Sequence, residues 1–148
     1  KIAYTSHETP TVIILSRQNL VVTQTNNELV NKGAYIVKDS KDPKYILLAT
    51  GSEVSLAYEV AKLVDGVRVV SMPSEFLFEQ QDEEYKNSIL PDRSKTIAIE
   101  MGATAGWYKY ASKVIGIDTF GLSAPAEDLV KHYGFTKEEL IRRIREVI

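Results

Sequence analysis

Short runs of β-branched and aliphatic residues recur along the chain, spaced as strands that alternate with helices would be. Several runs are apolar at every position, as in Ile46-Leu47-Leu48-Ala49, and do not alternate with polar residues. Continuous apolar runs are typical of strands buried on both faces, in a parallel sheet covered by helices. The predicted strands are Thr11–Leu15, Ala34–Lys38, Tyr45–Thr50, Val67–Met72, Thr96–Glu100 and Val114–Asp118.

Helical periodicity fills the longer gaps between these runs. Val54, Ala57, Ala61 and Val64 form an apolar stripe after Ser52, which we predict to be the N-cap of a helix. Two shorter helices are predicted at Asp82–Leu90, ending before Pro91, and at Ala126–Tyr133, ending at Gly134 as a C-terminal cap.

The last helix has the clearest sequence signals. Thr136 and Glu139 have the spacing of a capping box at its start. Its apolar face must pack on another layer, and consists of Leu140, Ile141, Ile144, Val147 and Ile148.

Strands alternating with helices predict an α/β fold: a three-layer, doubly wound, mostly parallel sheet with helices on both faces. The strand around Tyr35 is the exception. The connection Asp39–Lys44 is too short for a helical crossover. We therefore expect the Tyr35 strand to lie at an edge of the sheet, antiparallel to Tyr45–Thr50.

Residues 16–33 are rich in polar side chains and lie between two predicted strands, as an interdomain linker would. We expect residues 1–20 to end one domain, residues 21–32 to form the linker, and residues 33–148 to form a second domain. The opening Lys1–Tyr4 resembles neither a signal peptide nor a domain start, which favours a chain cut from a longer one.

Composition excludes several classes of function. The 148 residues have 44% hydrophobic and 26% charged side chains, as a globular domain with a core does. A net charge of -2 without a basic patch argues against nucleic-acid or anionic-membrane binding. There is no cysteine, two histidines are too few for a metal cluster, and no apolar run is long enough to span a membrane.

Arg17 directly follows the apolar run Val12–Leu15. A guanidinium at the carboxyl end of a strand can bind a phosphate with two parallel hydrogen bonds, on the side where open α/β sheets bind ligands. From position alone, a salt bridge within the linker is the stronger interpretation.

Other polar residues at predicted strand ends are weaker candidates. The turn Thr50-Gly51-Ser52 precedes a helix N-terminus, but it lacks a phosphate-binding fingerprint, and we interpret it as a tight turn. Glu100 and Asp118 each end a strand. Either carboxylate could have a raised pKa and transfer protons, or could accept N–H bonds from a neighbouring turn. We favour the structural role for both.

Aromatic residues and histidines add no clear site. Trp107, Tyr108 and Tyr110 are interpreted as packing residues, although such a cluster can also form a binding surface. His7 and His132 have no nucleophile near them in sequence.

A parallel sheet would gather several of these residues in one crevice, where an open α/β domain binds small ligands. We expect no tight physiological ligand there, because the carboxylates of Glu53, Glu100 and Asp118 oppose anions more strongly than one helix N-terminus attracts them. The crevice residues are Thr50, Gly51, Ser52, Ser71, Met72, Glu100, Gly102 and Asp118.

Five segments together resemble successive signatures of bacterial transketolases, in the order found in that family. The resemblance covers essentially the whole chain. Its segments are Pro10–Gln18 (PTVIILSRQ), Leu48–Val54 (LATGSEV), Arg68–Ser74 (RVVSMPS), Trp107–Tyr110 (WYKY), and Phe120–Ala126 (FGLSAPA) with Tyr133–Thr136 (YGFT).

The resemblance implies an enzyme that transfers a two-carbon ketol unit between sugar phosphates, with thiamine diphosphate and Mg²⁺ or Ca²⁺. It also implies a cytoplasmic homodimer of three-domain chains, whose active sites are formed by the first two domains. Residues 1–20 match the end of the second, pyrimidine-binding domain, and residues 33–148 match the C-terminal domain. The missing upstream domains would be partners of this chain.

The family's Gly-Asp-Gly…Asn metal-diphosphate motif is absent from this sequence, in which the only Asp-Gly is Asp65-Gly66. The resemblance therefore implies that this chain alone is structural, inactive and without a cofactor site. One residue is carried over: the arginine of the family's Ser-Arg-Gln segment binds the substrate phosphate, and Arg17 occupies that place. No catalytic, cofactor-binding or metal-binding residue is carried over.

Two alternatives stay open from the sequence. The chain could be an autonomous regulatory or small-anion-binding α/β module that uses the crevice. It could also be the equivalent domain of another thiamine-diphosphate enzyme, such as a ketoacid dehydrogenase β subunit or deoxyxylulose-phosphate synthase. The Leu-Ser-Arg-Gln and Ser-Ala-Pro-Ala segments favour transketolase.

Overall fold

The computed structural model describes residues 2–20 and 28–146 and contains one five-stranded sheet in the order β1-β3-β2-β4-β5. Strands β2 to β5 are mutually parallel, and β1 is antiparallel to β3. The predicted mostly parallel sheet with one antiparallel edge is confirmed. The strands are β1 Tyr35–Lys38, β2 Tyr45–Ala49, β3 Val67–Ser71, β4 Thr96–Ile99 and β5 Lys113–Ile115.

Helices cover both faces of the sheet, as the three-layer prediction requires. The α-helices are α1 Ile2–Thr5, α2 Glu53–Ala61, α3 Glu75–Glu79, α4 Glu83–Ile89, α5 Ala126–His132 and α6 Lys137–Glu146. The described residues also form short 3-10 helices at Glu28–Lys32, Arg93–Lys95 and Ala105–Lys109.

The unbroken apolar runs exist because each central strand is buried on both faces. In β2, Leu47 and Ala49 pack under α2 and α6, whereas Ile46 and Leu48 pack against the face that holds α3, α4 and Trp107. These four residues are fully buried, and Tyr45, the first residue of β2, is partly buried. This confirms the prediction made from the absence of alternation.

The partner predicted for the edge strand was wrong. β1 does not pair with β2 but with β3, in a register that joins Tyr35 to Ser71. Both sides of β2 are already occupied by parallel partners, β3 and β4. The connection Asp39–Lys44 therefore crosses the end of β3 instead of making a hairpin.

The predicted strand Thr11–Leu15 is not a strand in this structure. No strand in the described ranges pairs with it, and backbone groups cannot form a ladder without a partner. Its apolar side chains are largely exposed, with 82% for Val12, 65% for Ile13, 92% for Ile14 and 81% for Leu15.

At two helix ends, the capping residue predicted from the sequence does cap the helix. Thr136 caps α6 by accepting the Glu139 N–H at 3.3 Å, but the Glu139 side chain binds Arg142 and Arg143 and does not close the capping box. Gly134 has a φ of 76° after α5, as the predicted C-terminal cap requires.

Two helix starts differ from the prediction. Ser52 makes no capping bond, and its hydroxyl instead donates to Glu53 Oε2 at 2.9 Å. The unpredicted helix α3 begins after Ser74, whose hydroxyl accepts the Leu77 N–H at 3.3 Å. Of the predicted linker, residues 21–27 lie outside the described residues, as do Val147 and Ile148 of the last apolar face.

Candidate functional site

A crevice of about 520 Å³ opens at the carboxyl ends of β2, β3 and β4. These parallel strands end at the same edge of the sheet, so the turns that follow them meet there. We call it the acidic crevice. The sheet domain contributes Thr50, Gly51, Ser52, Glu53, Met72, Pro73, Glu75, Glu100, Met101 and Trp107.

The other wall of the acidic crevice is the amino-terminal segment, through Val12, Ile14, Leu15 and Ser16. The sheet-domain wall was predicted from the sequence in part. The position of this segment across the ends of the strands was not predicted, because Thr11–Leu15 was itself expected to be a strand.

Two carboxyl groups in this crevice, those of Glu53 and Glu100, are close enough to interact electrostatically. Glu53 is only 5% exposed, and one of its oxygens accepts the Ser52 hydroxyl. Burial, followed by the nearby charge of Glu53, raises the pKa of Glu100 to about 7. The Glu100 carboxylate receives no hydrogen bond from residues 2–20 or 28–146, so the expected turn contacts are not found there.

Asp118 behaves as the structural interpretation expected. Its carboxylate accepts the backbone N–H of Thr104 at 2.9 Å and the Thr104 hydroxyl at 2.8 Å. These two hydrogen bonds lower the pKa of Asp118 below its ordinary value. Asp118 therefore fixes the turn after β4 and does not line the acidic crevice.

Arg17 is exposed, and within the described ranges it makes no hydrogen bond or ion pair. The linker salt bridge favoured from position alone is thus not found there. Its neighbours on either side lie at two different cavities: Ser16 lines the acidic crevice, and Gln18 lines a second one. As far as residues 2–20 and 28–146 are concerned, the Arg17 guanidinium has no partner and is available to an external anion.

The second cavity, of about 640 Å³, lies beside the first and is mainly hydrophobic. We call it the apolar cavity. Gln18, Thr119 and Tyr133 bring polar atoms to it, and its other residues are Met101, Gly102, Ile117, Gly121, Leu122, Ala126, Leu129, Val130 and Phe135.

Two of the three aromatic residues, Trp107 and Tyr110, serve packing as interpreted from the sequence, whereas Tyr108 is 46% exposed. Trp107 and Tyr110 are 8% and 7% exposed. Tyr110 packs edge-on against Phe78 with ring centroids 6.1 Å apart, and its hydroxyl donates to Glu79 at 2.7 Å. His132 packs edge-on against the adjacent Tyr133 ring, 4.9 Å between centroids.

The described part of the chain has neither a metal-binding cluster nor a membrane-spanning helix. Residues 2–20 and 28–146 contain no group of three or more His, Asp or Glu side chains placed to hold a metal ion. None of the helices described is both long and apolar enough to cross a bilayer.

One feature of this site was not predicted from the sequence, the burial of Glu53 beside Glu100. Glu53 was counted with Glu100 among the carboxylates of the predicted crevice, but its burial was not expected, and it is only 5% exposed. Its position directly after Gly51-Ser52, at the end of a buried strand, was the available signal. Charged residues are seldom buried, and the pattern alone gave no reason to make an exception.

Comparison with known proteins places this geometry in a family. The sequence profile described as "Transketolase-like TK C-terminal domain" matches residues 33–136. Transketolase of Staphylococcus epidermidis is 50% identical over 160 residues, covering 99% of this chain and 24% of that protein. The probable transketolase of Streptococcus pneumoniae is 47% identical over 156 residues, again covering 99% of this chain and 24% of that protein.

A solved transketolase structure contains the same fold as this chain. Transketolase from Leishmania mexicana superposes with a TM-score of 0.93 at 43% identity, covering 99% of this chain and 22% of that chain. The chain thus spans about a quarter of the length of the curated relatives that it matches.

Proposed function

Because this chain belongs to the transketolase family, we propose that it is the carboxy-terminal portion of an enzyme that transfers a two-carbon ketol unit between sugar phosphates. The observation that carries the proposal is the match itself, which extends over 99% of this chain at 50% identity. The proposed enzyme is a cytoplasmic homodimer.

Within that enzyme, residues 33–148 form the C-terminal domain and residues 1–20 complete the domain before it. The start of the family match at residue 33 supports this division. So does the exposure of Val12 to Leu15, since four consecutive apolar residues left in solvent are typical of a strand whose sheet partners are in another part of the protein.

Thiamine diphosphate and Mg²⁺ or Ca²⁺ are the proposed cofactors of the full enzyme, in which thiamine diphosphate would supply a nucleophilic carbon and the metal ion would bind its diphosphate. The residues of this chain do not fit them. The sequence lacks the Gly-Asp-Gly…Asn motif, and the described residues offer no metal-ligand cluster. We therefore propose that this chain alone neither binds the cofactor nor turns over substrate.

Arg17 is the proposed contact with substrate. Its guanidinium is exposed and has no partner within the described ranges, so a phosphate group would not have to displace a salt bridge there. A planar guanidinium can donate two parallel hydrogen bonds to a phosphate, which gives both affinity and orientation. Its role is to hold the sugar phosphate and not to take part in bond making.

A chimera tests the proposal. In it, the quarter of Staphylococcus epidermidis transketolase that this chain matches is replaced by the 148 residues. We expect the chimera to transfer ketol units between sugar phosphates, and the recipient without any such segment to be inactive. Calorimetric titration of the 148-residue chain with thiamine diphosphate and Mg²⁺ tests the cofactor part, and micromolar binding would contradict it.

A further inference from the structure

Two exposed apolar side chains lie close together on the connection between β5 and α5, residues 116–125, which we call the β5–α5 loop. Phe120 is 97% exposed and Leu122 is 55% exposed. Leu122 and both chain neighbours of Phe120 line the apolar cavity, so the cavity and the exposed side chains form one continuous surface. No charged residue occurs from Thr119 to Ala126. Single exposed apolar residues are common, whereas a continuous, uncharged apolar surface is typical of a contact with another protein surface.

The backbone of the β5–α5 loop is held at both sides of Phe120. Before it, the Asp118 carboxylate accepts the two hydrogen bonds from Thr104. The Tyr133 hydroxyl, from the end of α5, donates to the Phe120 carbonyl at 3.4 Å. The loop therefore presents the phenyl ring from an ordered backbone, and a surface that is already ordered loses little conformational entropy when it binds.

The amino-terminal segment passes next to this surface. Val12 and Ser16 line the acidic crevice at the ends of β2, β3 and β4, whereas Gln18 lines the apolar cavity together with Leu122. Met101 lines both cavities and so lies at the boundary between them. The segment thus runs along the carboxyl edge of the sheet, from its middle strands toward the β5–α5 loop.

A domain that contains the exposed residues 12–15 is wide enough to cover the β5–α5 loop. β5 lies two strands from β2 in the sheet, so the carboxyl ends of these strands are about 10 Å apart. A domain of about 100 residues already has a radius of gyration of about 13 Å. The curated relatives have ample sequence for such a domain, because this chain covers only 24% of their length.

We propose that the β5–α5 loop is the contact surface of the C-terminal domain for the preceding domain of the proposed enzyme, and that Phe120 is buried there against apolar residues of that domain. The inference rests on the proposed function, which supplies the preceding domain. The contact lies beside Gln18, one residue from the proposed phosphate-binding Arg17.

Hydroxyl-radical footprinting tests the burial of Phe120 directly. The oxidation rate of Phe120 is measured by mass spectrometry in the 148-residue chain and in the chimera described above. We expect the rate to be at least about fivefold lower in the chimera, because side chains at the centre of an interface lose most of their exposed area. Equal Phe120 rates in the two proteins overturn the inference.

The matched control is Leu63, which is 61% exposed and follows α2 at the opposite, amino edge of the sheet. Its oxidation rate should be the same in the isolated chain and in the chimera. Protection of Leu63 equal to that of Phe120 would reflect a general loss of reactivity in the larger protein, and would also overturn the inference.

The substitution Phe120→Ser supplies a second test, because an exposed side chain contributes little to the stability of the isolated chain. We expect its melting temperature to change by less than about 2 °C in the 148-residue chain. In the chimera we expect a decrease of about 3–8 °C, from the loss of a buried phenyl ring. An equal change in both proteins overturns the inference.

Activity and footprinting separate this inference from the proposed function. An inactive chimera in which Phe120 is protected contradicts the proposed ketol transfer and supports the contact. An active chimera in which Phe120 reacts as fast as in the isolated chain supports the proposed function and overturns the contact.

Discussion

Arg68 donates from Nε and Nη2 to the two carboxylate oxygens of Asp39, at 2.8 and 3.2 Å. The same guanidinium donates to the carbonyls of Ser88 and Ile89 at the end of α4, at 2.8 and 3.3 Å. One side chain on β3 thus holds both the connection after β1 and the end of a helix. Burial would raise the pKa of Asp39, but its hydrogen bonds with Arg68 and Ser40 outweigh burial and lower it.

Replacing Arg68 by alanine should therefore lower the free energy of unfolding by about 2–3 kcal/mol, since the side chain is 12% exposed and its hydrogen bonds are charge-assisted. Lysine should restore only part of this, because it lacks the planar fork. Urea denaturation measures the change. Arg145→Ala, at an exposed position on α6, is the control and should change stability by less than about 0.5 kcal/mol. Equal losses for the two arginines would show that the Arg68 bonds contribute nothing specific.

Gly33 should not tolerate a side chain. Its φ is 85°, and a Cβ there would lie 2.2 Å from the Phe78 nitrogen and 2.4 Å from the Ser74 carbonyl oxygen, both of which are backbone atoms. We expect Gly33→Ala to destabilise the domain by more than about 3 kcal/mol. The matched control is Gly121→Ala, because a Cβ at Gly121 meets nothing within 4 Å. Thermal unfolding of the two variants gives the comparison, and a stable Gly33→Ala would contradict the close approach of α3 to this residue.

The pH dependence of the free energy of unfolding should reveal the raised pKa of Glu100. Its pKa is raised from the ordinary value of 4.5 to about 7, so the folded chain holds this proton more tightly than the unfolded chain. The stability that the proton contributes is fully present below pH 4.5 and is lost as pH rises through 7. Glu100→Gln should therefore gain stability relative to the unmodified chain across this window, by on the order of 1–2 kcal/mol in a crevice open to solvent. Urea denaturation at several pH values measures the difference, and a constant difference would exclude the raised pKa.

The main sheet and its two-sided burial could be predicted from sequence because they depend on local runs such as Ile46–Ala49. The pairing of the edge strand β1 with β3 could not be predicted from the sequence. It depends on β2 having both neighbours occupied, and on the contact of Arg68 with Asp39, 29 residues away. A short connection between two strands favours a hairpin unless such distant partners intervene.

The candidate site, like the fold, could be predicted from the sequence only in part. The strand ends that form the acidic crevice follow from a parallel topology, and Thr50, Met72 and Glu100 were predicted there correctly. The burial of Glu53 and the position of residues 12–16 depend on tertiary packing. The pattern of hydrophobic and polar residues along the chain does not specify how each individual residue packs in the folded structure.

Arg17→Ala in the chimera should weaken the use of phosphorylated sugars by about 1.5–3 kcal/mol in kcat/KM, the range for a hydrogen bond to a charged group. Lysine should rescue it in part. An unphosphorylated donor substrate is the control, and should be much less affected. Equal losses for both substrates would show that Arg17 supports the fold or the chemistry and does not bind the phosphate.

The activity of the chimera tests the central claim most directly. We expect Staphylococcus epidermidis transketolase carrying this chain in place of its matched segment to transfer ketol units with a kcat within about tenfold of the unmodified enzyme, since this chain is 50% identical to that segment over 160 residues. A chimera that folds, assembles and binds thiamine diphosphate with Mg²⁺, yet transfers no ketol unit, would contradict the assignment of this chain as the carboxy-terminal portion of a transketolase.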